Sequence, residues 1–129
     1  MSFVVNFDDA FAAEFRALPE AIQDAIRAYA LALADRGHQL GRPWADTLKG
    51  SKFAKMKELR PTVNKVEWRV AFAFDMKGEA ILLAATQKGG KKDTLVYGRL
   101  IHSADARLEA HETRLQTKIK GNVHARKPA

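Results

Sequence analysis

Arg60 and Arg69 bracket the end of one strand-like run and the middle of the next in KMKELRPTVNKVEWRV, Lys55 to Val70, with Glu58 close by. A guanidinium can hold a phosphate through two parallel N–H bonds, so two arginines on paired strands suit a phosphodiester. Glu58 either neutralises an arginine or serves as a general base. Two plainer readings compete. Edge strands carry lysines such as Lys55, Lys57 and Lys65 to avoid aggregating, and a mixed-charge strand face is often an ordinary solvated ion-pair surface. "KGGKK" at Lys88–Lys92 could cradle phosphate, but it lacks the Ser or Thr that follows the lysine of a P-loop and also fits an ordinary turn.

The strands must position these groups. Side chains alternate along a strand. In VEWRVAFAFD, Val66, Trp68, Val70, Phe72 and Phe74 share a core face, while Glu67, Arg69, Ala71, Ala73 and Asp75 share the other. Arg69 then sits on a floor of alanines that leaves room for a ligand backbone or a helix of the same chain. In FAKMKELR, Met56, Glu58 and Arg60 fall on one side, and Lys55, Lys57 and Leu59 on the other.

The pattern predicts a strand at SFVVNF and a helix capped by Asp8 or Asp9 with Phe11, Phe15 and Leu18 on one face. A second amphipathic helix follows from Glu20 to Arg36, closed by Gly37. A loop contains a short extended piece near Thr47–Leu48. Three strands are expected at Phe53–Arg60, Val66–Asp75 and Ala80–Gln87, and a long helix from Thr94 onward. The order predicts an α+β fold: the N-terminal strand and two helices pack on an antiparallel sheet, with a C-terminal helix and one face partly open.

With 129 residues, 47% apolar and 29% charged, the chain reads as one globular domain over residues 1–120 with a basic, flexible tail at 121–129. There is no cysteine, which excludes disulfides and thiolate zinc sites. No apolar stretch approaches the roughly 20 residues that span a bilayer. The start, MSFVVNFDDAF, lacks a basic region and does not read as a secretory signal, so the cytoplasm is the expected location. Lys and Arg total 22 against 15 acidic residues, a net charge of +7. After Glu112 every charged residue is basic. That balance suits a polyanionic partner, although solubility alone could explain it.

Beyond this residue reading, GRPWADTLKGSKFAKMKELRP, EWRVAFAFD and AILLAATQKGGKK resemble the RelE/HigB-type toxins of bacterial toxin–antitoxin pairs, nearest their phage-related HigB-like branch. The resemblance implies a RelE-like, microbial RNase-like fold and a metal-free messenger RNA endoribonuclease that works on the translating ribosome. In such enzymes the RNA's own 2′-hydroxyl attacks the adjacent phosphate, so no cofactor is expected. It implies a helix-turn-helix antitoxin as partner, with operator DNA reached only through that antitoxin, and no membrane partner. Carried over by position, Arg69 holds the scissile phosphate and Arg60 stabilises an attacking or leaving oxygen. Lys88 stands at the basic end of the last strand, and Tyr97 stacks on a base or moves a proton. Lys55, Lys57, Lys91, Lys92 and Arg99 are assigned to RNA contact. The family has a basic residue where Glu58 stands, which leaves Glu58 either an arginine partner or the base.

Other readings remain. His38, His102, His111 and His124 fit surface roles better than catalysis, His111 being the one able to approach the alanine face. Trp44 and Trp68 fit packing. A ParE-like gyrase inhibitor would share the architecture without cutting RNA, and a non-catalytic nucleic-acid-binding module would share the charge.

Overall fold

In a computed structural model, which describes residues 2–88 and 93–125 (side chains excepted at 93 and 119–125), the chain forms one sheet between two helical layers. The elements are β1 (Val5–Phe7), α1 (Asp9–Arg16), α2 (Glu20–Arg36), β2 (Ala45–Thr47), β3 (Lys57–Leu59), β4 (Thr62–Val63), β5 (Val66–Phe74), β6 (Ala80–Gln87) and α3 (Asp93–Ala125). The strand order is β1-β6-β5-β3-β2, with β4 paired to β5.

The alternation of β5 explains the layering. Val70, Phe72 and Phe74 point into a core shared with Phe11 and Phe15 of α1 and Ile22, Ile26 and Leu33 of α2. Each such side chain, once fully buried, contributes about 1.5–3 kcal/mol. Asp8 caps α1 by accepting from the Phe11 N–H at 3.1 Å, worth about 1 kcal/mol. Gly37 closes α2 at φ 58°, and a Cβ there would fall inside the Phe3 ring, so glycine is required twice over.

The opposite face differs from the expectation of a partly open sheet. Ala71 and Ala73 are covered by Leu100, Ala104 and Leu108 of α3. The small-residue floor therefore seats a helix of the same chain. The sheet is also mixed rather than antiparallel, because β1 joins β6 in parallel, Val5 opposite Ala80. The antiparallel pairs β3–β5 and β5–β6 form its centre, as the pattern predicts.

The strand expected at SFVVNF shortens to Val5–Phe7, and two other expected boundaries move further. The strand expected at Phe53–Arg60 shrinks to Lys57–Leu59, since Phe53–Met56 is a turn closed by Met56 N–H to the Phe53 carbonyl at 3.0 Å. The tail boundary expected at Gly121 falls inside α3, a helix of 33 residues that ends at Ala125; residues 126–129 lie outside the described residues. Asn64 and Lys65 both take positive φ, as a two-residue hairpin turn demands. That turn fixes Val63 opposite Val66 and Thr62 opposite Glu67. Among the described residues, no helix is long and apolar enough to cross a membrane.

Candidate functional site

Glu58 lies opposite Ala71 across the β3–β5 ladder, on the face that α3 covers. Its side chain is 6% exposed, and a carboxylate so buried needs partners. It has three. Arg60 Nη1 donates to Glu58 Oε2. The Tyr97 hydroxyl donates to Oε1 at 3.2 Å. Arg69 Nε stands 3.8 Å from Oε2. The two arginines thus share one carboxylate.

Among the described residues Arg69 is the largest fully buried side chain, 1% exposed. Each guanidinium nitrogen is engaged: Nε donates to the Tyr97 hydroxyl at 3.0 Å, Nη1 to the Trp68 carbonyl at 2.7 Å and Nη2 to Glu67 Oε1 at 3.1 Å. Burial alone would lower the guanidinium pKa, but Glu67, Tyr97 and Glu58 outweigh it and raise it, so Arg69 stays charged. Glu67 bridges outward, its other oxygen 4.0 Å from Lys88 Nζ. The Arg69 bond, then Lys88, hold Glu67 below the usual carboxylate range. Burial, and next the Glu58 charge, push the Tyr97 hydroxyl up against the opposing pull of Arg69, so it keeps its proton near neutral pH.

Arg60 is the more exposed arginine, at 19% of its side chain. Together with Arg42 it borders two surface depressions. One, of about 280 Å³, is lined by Glu58, Tyr97, Asp46 and Lys49 among others. The second, of about 340 Å³, is lined by Tyr29, Pro43, Thr62, Glu67 and Arg69. Asp46 lies directly opposite Glu58 in the β2–β3 pair. Like charges so placed repel, and each has its own arginine: Arg42 Nη2 stands 2.8 Å from Asp46. The Thr47 N–H and then Arg42 hold the Asp46 carboxyl below its ordinary range.

Of the residues singled out from sequence, Glu58, Arg60, Arg69, Lys88 and Tyr97 converge. Lys55 does not: it pairs with Glu112 at 2.7 Å, far along α3 from Tyr97. Once Phe53–Met56 is a turn, strand alternation no longer governs where Lys55 points. Lys57 lies on the Leu59 side of β3, toward α1 and α2, away from Glu58. Arg99 is exposed and lines a different groove with Glu14, Thr86 and Arg107. Lys91 and Lys92 lie outside the described residues. His111 bonds Asp75 at 2.9 Å, and that carboxylate also accepts from the Lys77 and Glu79 N–H groups in the β5–β6 turn, so this histidine anchors α3 to the turn. Both tryptophans pack as expected: Trp68 against the core, and Trp44, 40% exposed, from its loop onto Tyr29.

Sequence reasoning passed over Glu67, although strand period already placed it beside Arg69. Arg42, Asp46 and Tyr29 gave no comparable signal, because the loop before β2 has no period and Tyr29 reads only as part of a helical stripe. Among the described residues, no three His, Cys, Asp or Glu side chains gather in a way that could hold a metal ion.

The family model "Phage derived protein Gp49-like (DUF891)" matches residues 13–109. "Putative toxin HigB2" of Mycobacterium tuberculosis (strain ATCC 25618 / H37Rv) is 42% identical over 80 residues, 61% of this chain and 39% of that protein. "Putative toxin HigB3" of the same organism is 42% identical over 73 residues, 57% of this chain and 61% of that protein. The chain thus spans less than two thirds of either relative. An arginine double mutant of E. coli toxin RelE, solved in the free state, superposes with a TM-score of 0.51 at 10% identity, covering 78% of this chain and 99% of that one. At that identity the likeness speaks for the fold. The chain belongs to the phage-derived Gp49-like family.

Proposed function

We propose that this protein is the toxin of a type II toxin–antitoxin pair and cleaves messenger RNA on translating ribosomes in the cytoplasm, restrained by a helix-turn-helix antitoxin through which it reaches operator DNA. The observation that carries this reading is the shared Glu58 carboxylate, which draws Arg60, Tyr97 and Arg69 into one connected group at a surface depression.

The scissile phosphate sits on Arg60, with Arg69 behind it once the half-exposed Glu67 swings aside. The 2′-hydroxyl of the preceding nucleotide hands its proton to the Tyr97 oxygen as Tyr97 passes its own to Glu58. The 2′-oxygen bonds to phosphorus, the P–O5′ bond breaks, and Lys88 protonates the departing 5′-oxygen. The products are a cyclic phosphate and a 5′-hydroxyl. The arginines stabilise the charge that builds on the phosphoryl oxygens. Glu58 therefore has two tasks, positioning Arg60 and receiving a proton through Tyr97.

The test is induced expression with mapping of messenger RNA 5′ ends, comparing wild type with Arg60→Gln and Arg69→Ala. New 5′ ends in wild type that disappear in Arg60→Gln are expected. Arg60→Gln is the cleaner variant, since Arg69→Ala also empties a buried position. Growth arrest without new 5′ ends would sink the nuclease reading and favour gyrase inhibition.

A further inference from the structure

The two depressions beside Arg60 differ in chemistry, and the difference gives the site a direction. The first holds Tyr97 and Glu58, the groups that take the 2′-hydroxyl proton in the proposed reaction. The second holds Glu67 and Arg69, and Glu67 leads to Lys88, the group next to the leaving oxygen. Since the 2′-hydroxyl belongs to the nucleotide before the cut and the 5′-oxygen to the one after it, the second depression receives the nucleotide on the 3′ side.

That depression is walled by Tyr29 of α2, Arg42, Arg60 and Thr62. Tyr29 is half-buried and braced by Trp44, ring centres 5.0 Å apart and planes tilted by 58°. An aromatic ring held in place beside guanidinium groups is the arrangement that single-stranded nucleic acid uses for base stacking. The volume, about 340 Å³, lies at the lower end of the range for pockets that hold small ligands. We infer that Tyr29, backed by Trp44, is the stacking platform for the base of the nucleotide immediately 3′ of the cleaved bond, with Thr62 and Arg42 beside its sugar and phosphate. This rests on the nuclease reading and extends it by naming a base subsite and its polarity.

The experiment uses ribosomes programmed with messages carrying an abasic ribose one nucleotide before or one after the cleaved bond. Cleavage is read as kcat/KM for wild type, Tyr29→Phe and Tyr29→Leu. In wild type the abasic ribose on the 3′ side should lower kcat/KM about tenfold, within the range of one base–aromatic stack, and more than the 5′ one does. Tyr29→Phe should keep that penalty. Tyr29→Leu should cut intact and 3′-abasic messages equally. Equal cleavage of intact and 3′-abasic messages by wild type would overturn the inference, even if Tyr29→Leu failed to fold. So would a 3′ penalty that survives unchanged in Tyr29→Leu. Those outcomes leave the nuclease reading standing. Failure of wild type to cut any message brings down the nuclease reading and the inference with it.

Discussion

Arg69 Nε donates to the Tyr97 hydroxyl at 3.0 Å, tying the buried middle of β5 to the start of α3 across the sheet face. The same hydroxyl donates onward to Glu58. One oxygen therefore links the two strands of the hairpin to the last helix, and the consequences of disturbing it can be measured.

Tyr97→Phe keeps the ring and removes the oxygen. Arg69 Nε and one Glu58 oxygen then lose a partner in a buried setting, at about 1–3 kcal/mol for an unsatisfied group. Urea denaturation should show a loss of that size. Cleavage should fall by about a hundredfold or more, because a proton-transfer group of this kind is worth roughly 10²–10⁴ in rate. Full activity in a destabilised Tyr97→Phe would remove Tyr97 from the proton path.

Glu67→Gln removes the carboxylate that occupies Arg69 Nη2 and faces Lys88. Glu67 is held below the usual carboxylate range, first by the Arg69 bond and then by Lys88, so near neutral pH it is charged and, in the proposed reaction, would compete with the phosphate. The expected result is a several-fold rise in kcat/KM on ribosome-bound messages, with little change in melting temperature because the group is half exposed. A fall in kcat/KM would show that Glu67 assists the reaction rather than restraining it.

Ala71→Val tests the seating of α3. Ala71 is fully buried under that helix and directly opposite Glu58. Added methyl groups in a packed core cost about 1–3 kcal/mol. They would also lift the helix that carries Tyr97, so cleavage should drop further than stability alone predicts. Chemical denaturation and cleavage assayed on the same preparation separate the two effects.

Asp75 contributes to the acid side of the stability curve. Burial alone would push its carboxyl up, but the His111 ring and the Glu79 and Lys77 N–H groups together hold it below its ordinary 3.8. A carboxyl depressed in the folded state stabilises fully above the unfolded value, and that contribution disappears as pH falls through the folded one. Asp75→Asn should therefore lower the melting temperature at pH 7 and make the decline below about pH 4 shallower than in wild type. Thermal melts at pH 7 and pH 3 provide the comparison; parallel wild-type and variant curves would contradict it.

Much of the fold can be read from side-chain period. The limits of α2 and β6 and the start of α3 follow from apolar spacing: α2 buries one stripe, while β6 is a short apolar run buried on both faces. The covering of Ala71 and Ala73 was open between two readings, since small residues on a strand accommodate a helix as readily as a ligand. The parallel docking of β1 depends on a long-range pairing that its three residues do not encode. In the site, strand alternation put Arg69 and Glu67 on one face, and Glu58 with Arg60 on another strand's matching face. It could not tell that Arg69 would be buried, because burial comes from α3, distant in the chain. Lys55 lies away from the site because it sits in the turn before β3, where strand period does not apply. Arg42 and Tyr29 join the site through loop and helix packing, for which local spacing offers no cue.

Tyr97 and the apolar cover over the alanine floor both belong to α3, the last of the described elements. During synthesis, β3, β5 and β6 leave the ribosome before that helix does. A polypeptide extended only as far as Gln87 contains both arginines and Glu58 but lacks the hydroxyl that joins them, and its Arg69 has no helix above it. The connected group of Glu58, Arg60, Arg69 and Tyr97 is thus complete only once α3 has been made and has docked.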